Sequence, residues 1–260
     1  MKNYFEYPFN REIKKKLNKY YENLSLNQHG INHFRKSNLK LKRIKNLVLF
    51  DKYDYVIDIG CSRGDVLKIL SKEIKEGLGI DISKSIIKEN NSKNSIENIS
   101  FKFYDKNKFN LKQKFDKVLL LDVLEHSFYP NNLIKEIHKV IKRNGKLIIQ
   151  VPFTGWLSEL MFGAYHQGHL RYYDPKYLFN YLKKSGFEIK KIKVYNSVPY
   201  SSFFLKFKFI WKIQDLLVNL IPSRFYPYFG EILIIAEIKE KLDSKFEWKN
   251  IIKKYLGVLG

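Results

Sequence analysis

Asp58, Gly60, Ser62 and Gly64 alternate through one stretch, Val56–Asp65, which reads Val-Ile-Asp-Ile-Gly-Cys-Ser-Arg-Gly-Asp. Gly60 and Gly64 have no side chain, so the backbone there can turn tightly and approach a ligand closely. A helix beginning at about Asp65 would add the unpaired N–H groups of its first turn. Further on, Gly77-Leu78-Gly79-Ile80-Asp81 ends in a carboxylate that can accept hydrogen bonds from both hydroxyls of a ribose. These residue types in this order describe a loop that holds a nucleotide-like cofactor. An acid inside the apolar run, Asp58, suits a cationic ligand better than a pyrophosphate.

Such a loop needs a parallel sheet to carry it. Tyr55–Ile59 is an apolar run broken only by Asp58 and reads as a buried first strand. Gly77–Asp81 reads as the second strand, and Ser83 is placed to cap a helix through about Asn90. Ile99–Tyr104 gives a third strand ending in Asp105, Val118–Leu121 a fourth, and Leu147–Val151 a fifth. Between the last two, Asn131–Lys142 has helical apolar spacing at Leu133, Ile134, Ile137, Val140 and Ile141, and Arg143-Asn144-Gly145-Lys146 reads as a turn. A helix over Lys176–Lys184 precedes Phe187–Tyr195 and Glu231–Ile238, the sixth and seventh strands. The fold class that follows is α/β, a doubly wound, mostly parallel seven-stranded sheet with helices on both faces.

The glycine spacing separates two cofactor readings. A dinucleotide fingerprint asks for glycine at 60, 62 and 65, and the chain has Gly60, Ser62 and Asp65. Asp58-x-Gly60-x-Ser62-x-Gly64 instead resembles motif I of the class I S-adenosylmethionine-dependent methyltransferases, with serine for the middle glycine. Asp-Val-Leu-Glu-His at 122–126 is similar to the stretch after the fourth strand in small-molecule and lipid O-methyltransferases of the ubiquinone-biosynthesis type. The Asn/Asp-Pro-Pro-Tyr of nucleic-acid amino-methyltransferases does not occur here. The resemblance covers about Tyr55–Phe153 at motif level and continues through His169-Leu170-Arg171-Tyr172.

The resemblance implies a Rossmann-like class I methyltransferase fold and S-adenosylmethionine as cofactor. It places Asp58, Gly60, Cys61, Ser62 and Gly64 in the cofactor loop, Asp81 and Ile82 at the ribose, Asp105 at the adenine amino group, and Asp122 at the end of the fourth strand. A hydroxyl acceptor must lose a proton, and His126 is the expected base, with His169 second. His166 and His169 stand three apart, but no further ligand has suitable spacing, so no metal is expected.

Composition bounds the rest. The chain has 260 residues with 45% hydrophobic content, enough for one core with additions. Its one cysteine, Cys61, cannot form an internal disulfide, and Met1–Asn10 lacks the apolar core of a secretory signal, so a cytoplasmic protein is expected. The net charge of +22 arises from 48 Lys+Arg against 26 Asp+Glu, and nearly all of the excess is lysine. Bidentate phosphate or base readout favours arginine, so a nucleic-acid partner is less expected than a diffuse charged surface.

Residues 1–50 read as an N-terminal helical cap, with a helix over Arg11–Leu24, a loop over Asn27–Phe34 and a helix over Leu39–Phe50. The methyltransferase domain spans 51–240 with a helical insertion at 198–230, and 241–260 is a helical tail. Within the insertion, 203–221 has a broad apolar face that either packs on the chain, roofs an apolar substrate or touches the inner face of a membrane. The expected activity is methyl transfer, at oxygen, to a small-molecule, glycan or lipid-linked acceptor. The alternatives are an RNA-modifying methyltransferase and a non-catalytic methyltransferase-like subunit.

Overall fold

The computed structural model describes residues 4–6, 31–105, 108–153, 169–173, 175–196 and 230–239. The elements run β1 (Tyr4–Glu6), α1 (Ile31–Lys45), β2 (Tyr55–Ile59), α2 (Asp65–Leu70), β3 (Glu76–Asp81), α3 (Lys84–Lys93), β4 (Ile99–Phe103) and β5 (Phe115–Leu121). After a 3-10 turn at Leu124–His126 come α4 (Pro130–Val140), β6 (Ile141–Phe153), β7 (Arg171–Tyr173), α5 (Pro175–Lys184), β8 (Phe187–Asn196) and β9 (Gly230–Ile238).

Seven strands form one sheet in the order β4-β3-β2-β5-β6-β9-β8. Only β9 runs against its neighbours, lying antiparallel to both β6 and β8. The strand order reverses between β2 and β5, so a crevice opens above their carboxyl ends, where open α/β sheets hold ligands.

Alternation along each strand feeds two cores. Ile57, Val118, Leu120, Leu147, Ile149, Ile232 and Ile234 point to one face, which α4 and α5 cover with Leu133, Ile134, Ile137, Leu178, Phe179 and Leu182. Val56, Leu119, Ile148, Leu233 and Ile235 point to the other, under Leu41 and Ile44 of α1, Leu67 and Leu70 of α2, and Ile86 and Ile87 of α3. Both faces are thereby dry, which is why these strands read as continuous apolar runs rather than alternating ones.

The expected strands and helices of 55–141 and 175–238 appear with small shifts of boundary. Ser83 caps α3 as expected, its hydroxyl accepting the Ile86 N–H at 3.4 Å. Two expectations are corrected, and one strand is unanticipated. The helix expected over Leu39–Phe50 begins at Ile31 and ends at Lys45, so the loop expected to run to Phe34 is in part its first turn. Leu41 and Ile44, fully buried, anchor it where periodicity alone could not fix its start. The turn at Arg143–Lys146 is absorbed into β6 as a slip in the ladder, where pairing with β5 jumps from Ile141 to Lys146. And β1, not expected at all, pairs antiparallel with β7, Tyr4 opposite Tyr173. The expected helix at 11–24, the insertion at 198–229 and the tail at 241–260 lie outside the described residues.

Candidate functional site

The loop after β2 is built from three residues with positive φ, Gly60 (73°), Ser62 (47°) and Gly64 (72°). Serine is strained there, and it is held from both sides. Its N–H donates to Asp81 Oδ2 at 3.0 Å, and its carbonyl accepts from Asn90 Nδ2 at 2.7 Å. The other Asp81 oxygen accepts the Ser83 N–H at 2.9 Å. Asp81 is therefore a brace joining the loop to the start of α3 as well as the acid at the end of β3. Asn90, buried on α3, was not singled out from sequence, because nothing in its surroundings shows that it reaches across to residue 62.

The glycines are fixed by packing as well as by φ. A Cβ on Gly60 would lie 2.5 Å from Val123 Cγ2, and one on Gly64 would lie 2.3 Å from Phe101 Cε1. Gly64→Ala is expected to lower stability by about 2–3 kcal/mol, through left-handed strain and displacement of the Phe101 ring. Thermal unfolding measures it, and an unchanged midpoint would show that the ring simply moves aside.

Cys61 is buried, with its sulfur facing the Gly79 backbone and Phe101. Burial, then the charges of Asp58 and Asp81, push its thiol well above the ordinary range, so it packs rather than reacts. Ile82 packs at the rim of the core beside Asp81. Asp105 is exposed just past the end of β4, bridged to Lys108.

Asp58 is 4% exposed. Burial pushes its carboxyl up to about 7, against the pull of Lys40, and Asp81 adds to the rise. Lys40 comes from α1 and pairs with Asp122, whose carboxylate also accepts from Gln150 Nε2 at 3.2 Å. Asp122 itself has φ +56°, a strained position at the carboxyl end of β5. One turn along α1, Arg43 pairs with Glu231 at 2.6 Å and covers the Tyr195 ring. Burial, followed by Asp122, raises Glu231, and burial opposes the Lys40 ammonium, which Asp122, Glu231 and Glu125 nevertheless hold above the usual lysine value. Asp58, Asp122, Glu125 and Glu231 thus lie around Lys40, and Arg43 pairs with the last of them.

The turn after β5 brings the two candidate histidines together. The His126 and His169 rings meet edge to face with centroids 4.8 Å apart. Below them lies Glu125, 1% exposed, with its Oε1 3.9 Å from His126 Nε2. The main chain holds this arrangement, since the Leu170 N–H donates to the Glu125 carbonyl at 2.9 Å and the buried Arg171 guanidinium donates to the Ser127 carbonyl. Glu125, His126 and His169 each offer one atom within 4.8 Å of the others, a convergence that the spacing of His166 and His169 gave no sign of. His166 lies outside the described residues.

Two left-handed glycines turn the loop at the carboxyl end of β2, a buried carboxyl of raised proton affinity lies on the same strand, and the acid at the end of β3 bonds the loop. With the seven-stranded order, that defines a class I methyltransferase, whose cofactor is S-adenosylmethionine. Residues 14–192 match the protein family described as Methyltransferase domain, and the chain belongs to that family.

Relatives agree at that level. A protein of Invertebrate iridescent virus 6, named provisionally as methyltransferase 235L, is 29% identical over 160 residues, 56% of this chain and 59% of its own length. The ubiquinone biosynthesis O-methyltransferase of Coxiella burnetii is 29% identical over 152 residues, again 56% of this chain and 59% of its own. The chain thus spans less than two thirds of these relatives. Among solved structures, coclaurine N-methyltransferase bound to N-methylheliamine and SAH superposes with a TM-score of 0.56 at 13% identity, covering 77% of this chain and 70% of that one. At that identity the likeness is one of fold. No helix among the described residues is long and apolar enough to cross a membrane.

Proposed function

We propose that this methyltransferase acts on a hydroxyl of a small-molecule, glycan or lipid-linked acceptor, with His126 receiving the hydroxyl proton. The observation that carries the reading is the imidazole pair over a buried acid in the turn at the carboxyl end of β5. A Coxiella relative named as an O-methyltransferase supports oxygen as the acceptor atom.

The cofactor supplies a methyl group on a sulfonium, ready for direct displacement. The chain's work is to align the reactants and keep water out. In this reading the ribose hydroxyls meet Asp81, the amino group faces Asp58, the adenine amino group reaches Asp105, and Asp122 shapes the amino-acid end through Lys40 and Gln150. Gly60, Cys61, Ser62, Gly64 and Ile82 give the loop and rim their shape. As the acceptor oxygen bonds to the methyl carbon, its proton passes to an imidazole nitrogen, which is neutral near physiological pH in an ordinary histidine.

The test begins with calorimetric titration by S-adenosylmethionine and S-adenosylhomocysteine, followed by an acceptor screen with radiolabelled methyl. His126→Ala should leave cofactor affinity within about twofold and cut transfer by about 10²-fold or more, the usual worth of a general base. Equal transfer by the variant would remove His126 from the chemistry. Transfer to RNA in place of small hydroxyl compounds would replace the acceptor assigned here.

A further inference from the structure

Glu125 has no part in the chemistry proposed above, and its setting is costly. Neither carboxyl oxygen has a hydrogen-bond partner among the described residues, although the side chain is 1% exposed. Burying a carboxyl costs stability wherever donors do not compensate it. What it faces is specific. His126 Nε2 lies 3.9 Å from Oε1, and His169 meets the His126 ring edge to face from the segment that leads into β7.

We propose that Glu125 is a positioning residue which shares one proton with the His126–His169 pair, acting as the sink for the proton that leaves the acceptor. This rests on the base role assigned above to His126. In this step the acceptor O–H breaks and its proton goes to an imidazole nitrogen, the oxygen pair forms the bond to the methyl carbon, and the methyl–sulfur bond breaks with its electron pair staying on sulfur, which leaves as the neutral thioether. The imidazolium so formed lies beside the Glu125 carboxylate, which is its counter-charge and can take up the same proton, without solvent.

The surrounding charges favour one shared proton over a fixed ion pair. Asp122 from the end of β5 and Glu231 from β9 face Glu125 as carboxylates, and Lys40 from α1 is the cation nearby. Burial, then Asp122, push the Glu125 carboxyl well above the ordinary carboxylate range, so its carboxylate competes with the imidazole for a proton that arrives beside it. The proton taken from the acceptor by His126 is thereby held jointly by the ring and the acid. The main-chain tie from Leu170 N–H to the Glu125 carbonyl keeps His169 in register with the acid.

The experiment uses the full chain and needs no acceptor. Of the six histidines, His126 and His169 are assigned in 15N-histidine spectra by single substitution, and their titrations are followed from pH 5 to 9 in wild type, Glu125→Gln and Glu125→Asp. Glutamine keeps the shape and cannot ionise. It should lower the midpoint of at least one of the two rings by about one unit or more, because the imidazolium loses its counter-charge, and aspartate should restore part of the shift. Unchanged midpoints in a folded Glu125→Gln protein would overturn the proposal. So would stoichiometric perturbation of both rings by Mg2+ or Zn2+ alone, which would assign the cluster to a metal. If the midpoints shift but His126→Ala keeps full transfer, the shared proton stands and the base role of His126 fails, so the two claims separate.

Discussion

Asp58→Asn stabilises the empty protein above neutral pH and removes most of its affinity for the cofactor. The two effects have one cause. The carboxyl of Asp58 is lifted from the ordinary 3.8 to about 7, chiefly by burial. A folded-state value above the unfolded one means that the native state binds the extra proton, so stability falls as pH rises from about 4 to about 7 and then levels. The ionised fold carries a penalty on the order of 4 kcal/mol at pH 8, which a neutral amide of the same shape does not. A cationic ligand end beside the carboxylate relieves the penalty, and the amide offers it no charge. Wild-type affinity for S-adenosylmethionine should therefore weaken as pH falls below about 7, by up to tenfold per unit, whereas the variant should bind weakly with a flat profile. Chemical denaturation and calorimetry at pH 6 and pH 8 measure both arms. A variant less stable than wild type at pH 8 would show that Lys40 already neutralises Asp58 in the empty fold.

Asp81→Ala costs more than a ribose contact. The carboxylate accepts the Ser62 N–H and the Ser83 N–H at about hydrogen-bond optimum, so its loss frees the strained loop on one side and the start of α3 on the other. Hydrogen bonds to a charged group contribute roughly 1.5–3 kcal/mol each, and cofactor affinity should fall by at least about 10²-fold, with a lower unfolding midpoint as well. Asp81→Asn keeps one acceptor and should lose less of both. An alanine variant with full stability and reduced binding would mean that Asn90 alone holds Ser62.

Much of this was written in short, contiguous signals. The loop at 58–64, the acid closing β3 and the Asp-Val-Leu-Glu-His turn lie on strands buried on both faces, whose apolar runs and following glycines are local features. What escaped was the part made by distance in sequence. Lys40 meets Asp122 and Arg43 meets Glu231 across spans with no pattern to mark them, and both come from a helix whose first turn read as loop. β1 is a three-residue strand that exists only because β7 lies beside it. Glu125 stood inside a quoted motif, yet its significance is its burial under two rings, and the spelling of a motif does not show burial.

The position of β9 sets the order in which the chain can fold. Because β9 lies between β6 and β8, β8 has no neighbour in the sheet until residues 230–238 arrive, and Arg43 has no Glu231 to meet. A nascent chain therefore emerges with β6 as a bare edge, its Ile148, Ile149 and Val151 unpaired on that side. Closure of such distant pairings is slow, so synthesis should favour a partly assembled sheet that completes, and locks α1, only after residues 230–238 have emerged. A chain stopped just short of Gly230 should aggregate through that edge rather than persist as a smaller enzyme.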